Sequence, residues 1–69
     1  MIIKKEIEIN SKYKIVITYN DNNNNIRYYR LENNNNETLA ESYNRDAFLL
    51  KANKIIKLTN KIECLVASY

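Results

Sequence analysis

The residues best suited to chemistry lie in one hexapeptide, IRYYRL, residues 26–31. Period-two alternation on a strand puts Arg27 and Tyr29 on one face with Leu31, and Tyr28 and Arg30 on the other with Ile26. Each face then offers a guanidinium beside a phenol ring. An exposed pair of this kind stacks unpaired bases, at roughly 1–3 kcal/mol per base. It also suits a protein interface, where Tyr and Arg are enriched as hot spots. The bland reading gives one Tyr to the core and leaves the rest as ordinary sheet surface.

A second set is cationic. Lys51, Lys54, Lys57 and Lys61 recur at a spacing near three, which a helix would align and strands would align less well. As a group they form either a solubilising face or a sequence-blind contact to phosphate or to an acidic partner.

Catalytic chemistry finds little material. The chain has no His for general-base work and no His/Cys cluster for zinc. It has no Gly and hence no glycine-rich phosphate loop. Its one thiol, Cys64, sits in the apolar run Ile62 to Ala67, where a buried, inert Cys is expected. Glu6 and Glu8 are two apart on an expected strand and read as a solvated face. No enzyme activity and no cofactor or metal is expected.

Sixty-nine residues make a single small domain, 1–69, and a hydrophobic content of 45% makes it a globular one. A chain this short buries only about 60% of its unfolded surface, so its stability is small. A lone Cys fits a reducing, cytoplasmic compartment. The start, MIIKKEIEIN, is too charged and too short for a signal peptide, and no apolar run approaches membrane length.

Gly and Pro are both absent, while thirteen Asn stand at 10, 20, 22–25, 33–36, 44, 53 and 60. Asn is the next best residue for a turn needing positive φ, so these positions punctuate the chain. Usage rich in Asn, Lys, Ile and Tyr is what AT-rich coding DNA gives. It hints at a low-GC bacterium, its phage or a mobile element. The net charge of +3 is uneven: residues 1–19 carry four bases and two acids, 20–44 two and four, 45–69 five and two.

The elements that position these residues follow from that punctuation. Ile2–Ile9 alternates, with Ile3, Ile7 and Ile9 opposite Lys4, Glu6 and Glu8. Asn10-Ser11 makes a tight turn, and Lys12–Tyr19 returns with Tyr13, Ile15, Ile17 and Tyr19 inward. Ile26–Glu32 reads as a third strand between two Asn-rich loops. After residue 37 the pattern admits two readings. The favoured one is all-β, a small antiparallel SH3-like barrel or sheet of five to seven short strands, continuing through Thr38–Tyr43, Ala47–Ala52, Ile55–Thr59 and Ile62–Ser68. The alternative is α+β: a three-stranded antiparallel sheet with a helix near 46–58, N-capped by Asp46, with Phe48, Leu49, Ala52, Ile55, Ile56 and Thr59 fitting one helical face. The expected core is Ile7, Ile9, Tyr13, Ile15, Ile17, Leu31, Leu39, Leu50, Ile56, Leu58 and Val66. Ile62–Tyr69, poorly guarded by charge, would form an edge able to pair with a second copy.

The stretch YNRDAFLLKANKI, Tyr43 to Ile55, resembles the last motif of WYL domains, with Leu50 to Ile55 in the place of the family's Phe-Arg-Leu-Asp-Arg-Ile-like run. Upstream, IVITYNDNNNNIRYY resembles its opening hairpin, so the likeness covers roughly residues 15–55. It implies a small Sm-like, SH3-type barrel. The Trp-Tyr-Leu signature itself is missing, with Glu37-Thr38-Leu39 nearest to it, and the family's ligand-contacting Arg falls on Phe48. The ligand-sensing function is therefore not carried over.

Three functions fit a tiny chain without catalytic residues. The first is a protein-binding module, in its specific form a phage or mobile-element inhibitor of a host nuclease or defence ribonucleoprotein complex, as anti-CRISPR proteins are. The second is a single-stranded nucleic-acid-binding accessory protein using Arg27, Tyr28, Tyr29, Arg30 and the late lysines. The third is a structural subunit or antitoxin-like partner. None requires a membrane, and a homo-oligomer is compatible with each.

Overall fold

The computed structural model describes the whole chain except the side chains of residues 23–25. Four strands are followed by two helices: β1 (Ile2–Ile9), β2 (Tyr13–Asn20), β3 (Asn23–Asn33), β4 (Thr38–Ser42), α1 (Arg45–Ile55) and α2 (Asn60–Ala67). The strands form one antiparallel sheet in sequence order, β1-β2-β3-β4. The fold is α+β, an open sheet with helices on one face. It is neither a closed barrel nor a sheet of five to seven strands.

The turns show how a chain without Gly reverses. Asn10 and Ser11 both take positive φ, 56° and 61°, and Lys12 N–H donates to the Ile9 carbonyl at 3.2 Å. Two central residues with φ > 0 give the turn a twist that suits the flanking strands, and the ladder closes at Ile9 and Tyr13 across a three-residue connection. Between β3 and β4, Asn36 adopts φ 62°. There the Asn33 side-chain oxygen accepts from Asn35 N–H at 2.9 Å and Glu37 N–H at 3.1 Å. β3 itself runs into both Asn-rich stretches, so these are partly strand and not wholly loop.

Alternation sorts the sheet into two faces. Tyr13, Ile15, Ile17, Tyr29, Leu31 and Ala40 point toward the helices. Phe48 and Ala52, one turn apart on α1, and Val66 on α2 close over them and are fully buried. Burying a side chain such as Phe48 contributes about 1.5–3 kcal/mol. β2 is buried on both sides at its centre, since Val16 on the opposite face is also fully inaccessible.

The expected strands Ala47–Ala52, Ile55–Thr59 and Ile62–Ser68 are helical or connecting chain, and Thr38–Tyr43 alone becomes a strand. The reason lies in the caps. Asn44 is extended and its Oδ1 accepts from Ala47 N–H at 2.9 Å, starting α1 two residues before the expected cap at Asp46. Thr59 caps α2 in the same way through Ile62 N–H at 3.2 Å. Asn53, read as a break, lies within α1 and ties the segments together. Its Oδ1 accepts from Leu58 N–H at 2.9 Å, and its Nδ2 donates to Glu63 Oε2 at 3.2 Å.

The core shifts accordingly. Leu50 is 68% exposed on the outer side of α1, and Leu39 is exposed on the face of β4 away from the helices. Tyr13 and Ile56 pack against the core half-buried, while Phe48, Tyr29, Ala40 and Ala52 join it, and Val16 is buried separately on the other face of the sheet. Cys64 is exposed, not buried. The segment Ile62–Tyr69 is not an edge strand; the edges of the sheet are β1 and β4. The run Leu50 to Ile55 that carries the WYL-like pattern is helical.

Candidate interaction surface

β3 splits the hexapeptide as alternation requires. Tyr29 and Arg27 face the helices. Tyr29 is buried and stacks on Phe48. Arg27 lies over the Tyr19 ring, 4.4 Å from its centroid, and its Nε donates to the backbone oxygen of Tyr69. These two residues therefore hold the structure together.

Tyr28 and Arg30 face away from the helices. On that outer face Lys4 lies 3.6 Å from Glu6, Lys14 lies 3.7 Å from Glu6 and 3.8 Å from Glu32, and Arg30 Nε lies 2.8 Å from Glu32 Oε2. The last contact is ionic, out of line with the N–H, which finds no aligned acceptor among the described residues. This lattice of long side chains covers Val16. Exposed pairs of this kind contribute only about 0–1 kcal/mol each, but together they roof an apolar residue with their methylenes.

Beyond the lattice, one corner of the outer face is apolar. Tyr28 and Tyr43 meet at 4.9 Å between ring centroids with a 41° tilt. With Ile2, Ile26, Thr18 and Tyr19 they line an open groove of about 260 Å³. Ile2 is 65%, Ile26 56% and Tyr43 72% exposed. The Arg30 guanidinium carbon sits 5.9 Å from the Tyr28 ring centroid. The Tyr28 hydroxyl titrates above its ordinary 10.0, through desolvation first and then through its hydrogen bond to Glu41 and that carboxylate's charge, against the pull of Arg30.

Sequence reasoning put Tyr28 and Arg30 on one face with Ile26 but did not find their companions Ile2, Glu41 and Tyr43. The signal was there: Ile2 and Ile26 are apolar at strand positions whose alternation calls for polar residues.

The late lysines do not join this surface as a group. Lys51 and Lys54 are on α1, Lys57 in the connection and Lys61 on α2, all exposed. Lys51 alone reaches the sheet, donating from Nζ to the Glu41 backbone oxygen at 3.2 Å. A second, polar groove of about 340 Å³ lies between Glu8, Ser11, Tyr13, Lys14 and Asn36 at the opposite end of the sheet.

Among the described residues no group of three His, Cys, Asp or Glu is placed to hold a metal ion. No helix among them is long and apolar enough to cross a membrane. No protein-family model, curated protein or solved structure matches this chain.

Proposed function

We infer that this protein is a non-enzymatic protein-binding module whose contact surface is the outer-face corner of Ile2, Ile26, Tyr28 and Tyr43. One observation carries the reading: large apolar side chains are exposed side by side, next to the cations Lys4, Lys14 and Arg30, which are already paired with Glu6 and Glu32. An apolar centre beside a polar rim is the anatomy of a protein interface. Tyr and a neighbouring Arg are the residue types that dominate interface energies.

Charge weighs against nucleic acid at this surface. The outer face carries three cations, Lys4, Lys14 and Arg30, and four carboxylates, Glu6, Glu8, Glu32 and Glu41. Such a face does not attract a phosphate backbone. The second reading, a contact to single-stranded nucleic acid, is favoured only by the helical segment, where residues 45–69 carry five bases and two acids.

The specific form proposed is a phage or mobile-element protein that occupies the surface of a host nuclease or defence complex in the host cytoplasm. The small size, the lone thiol and the AT-rich composition support it. A structural subunit or antitoxin-like chain would use the same surface with a partner encoded beside it. The test is affinity capture from a bacterial lysate with the wild-type chain and with Tyr43→Ala, each with and without nuclease. A protein that survives nuclease and is lost with Tyr43→Ala is the expected result. Capture of nucleic acid alone, released by salt and unaffected by Tyr43→Ala, would overturn it in favour of the helical lysines.

A further inference from the structure

We propose that the groove between Tyr28, Tyr43, Ile2 and Ile26 is an anchor pocket for one aromatic side chain of a protein partner, and that the partner residue beside that anchor is cationic and meets Glu41. The proposal rests on the protein-binding reading above and names the chemistry of the partner.

Size fixes the first half. Pockets for small-molecule ligands and cofactors run from about 300 to 1,000 Å³ and enclose most of the ligand. At about 260 Å³ and open to solvent, this groove holds one large side chain and not a cofactor. Its walls select an aromatic one. The tilted Tyr28 and Tyr43 rings offer a face and an edge, and aromatic groups pack favourably at ring separations of about 4.5–7 Å in offset or edge-to-face arrangements. Ile2 and Ile26 supply the apolar sides.

Charge fixes the second half. Each cation of the outer face has its carboxylate: Lys4 pairs with Glu6, Lys14 with Glu6 and Glu32, and Arg30 with Glu32. Glu41 enters no ion pair among the described residues. Arg30, opposite it in the strand register, makes its ionic contact to Glu32 instead. Lys51 binds the backbone oxygen of Glu41. The Glu41 side chain lies on the outer face with Tyr43, beside Tyr28, from whose hydroxyl it accepts a hydrogen bond. A carboxylate at the edge of an aromatic pair suits an ammonium or guanidinium group, through both charge and the ring faces.

The probes are three blocked dipeptides, acetyl-Trp-Lys amide, acetyl-Trp-Glu amide and acetyl-Ala-Lys amide, titrated into isotope-labelled protein and followed by backbone and methyl NMR shifts. The expected result is saturable binding of the Trp-Lys peptide, with shifts confined to Ile2, Ile26, Tyr28, Glu41 and Tyr43. It should bind about fivefold tighter than Trp-Glu, the scale of one exposed ion pair. Glu41→Gln should erase that preference while keeping Trp binding, and Tyr43→Ala, at an exposed site that leaves the fold intact, should abolish both. Equal binding of Trp-Lys and Trp-Glu overturns the cationic flank. Binding of Ala-Lys as strong as Trp-Lys, shifts elsewhere, or no saturation overturns the anchor. If the peptides fail while Tyr43→Ala still releases a captured protein, the anchor chemistry falls and the protein-binding reading stands.

Discussion

Tyr29 and Phe48 lie with ring centroids 5.6 Å apart and planes 25° from parallel, and this contact joins the centre of the sheet to α1. It makes one tyrosine of the Arg-Tyr hexapeptide a core residue and leaves its neighbour Tyr28 on the opposite face. Replacing Phe48 by Ala removes that contact and leaves a cavity under α1. A loss of about 3–5 kcal/mol is expected, comparable with the whole stability of a domain this small. Urea denaturation followed by far-UV circular dichroism should find Phe48→Ala largely unfolded without denaturant. A midpoint unchanged from wild type would place the core elsewhere.

Val16 tests the roof of paired charges. Because it is fully buried on the outer face, Val16→Ala should cost about 1.5–3 kcal/mol, as at any core position. Thr18→Ala, on the same face of the same strand but half-buried, should cost less than about 1 kcal/mol. Equal effects at the two sites, measured by the same denaturation, would show that the charged side chains do not shelter Val16.

The helix start is decided by one side chain. Asn44→Ala should destabilise by about 1 kcal/mol through loss of the bond to Ala47 N–H. Asp46→Ala, in the first turn, loses a favourable interaction with the helix dipole, about 0.3–1 kcal/mol, and an exposed ion pair with Arg45 that adds little. Thermal midpoints of the two variants order the effects, and the reverse order would move the cap to Asp46.

Tyr28 gives a pH signature. Its folded-state pKa is raised above 10.0, so folding favours the neutral phenol. The stabilisation is complete below pH 10.0 and is lost as pH rises through the higher folded value. NMR of ¹³C-labelled tyrosine rings should show the Tyr28 resonance titrating late, and Tyr28→Phe should remove it. Glu41→Gln should move that titration back toward 10.0, because the second and third causes of the shift both belong to Glu41.

The first half of the fold was legible because its residues obey one period. Ile3, Ile7 and Ile9 against Lys4, Glu6 and Glu8 can only alternate, and Asn10-Ser11 can only be the turn between them. The second half failed on the meaning of Asn. Asn44, Asn53 and Asn60 look alike as punctuation, yet one caps a helix, one lies inside a helix and braces the connection, and one opens the next helix behind Thr59. Local composition does not distinguish those roles; packing of Phe48, Ala52 and Val66 against the sheet does. The site was half visible for a related reason. Alternation gives the faces of β3 at once, but which face the helices cover depends on the chain after residue 44, and Ile2 and Tyr43 reach Tyr28 only through the pairing of all four strands.

The strand order β1-β2-β3-β4 also sets the order of folding events. Every ladder joins neighbours in sequence, so the loops to be closed are short and the sheet forms quickly. On the ribosome the sheet emerges before its cover. The apolar face of Ile15, Ile17, Tyr29 and Leu31 then stands open to solvent, and to chaperones, until Phe48, Ala52 and Val66 arrive to close it.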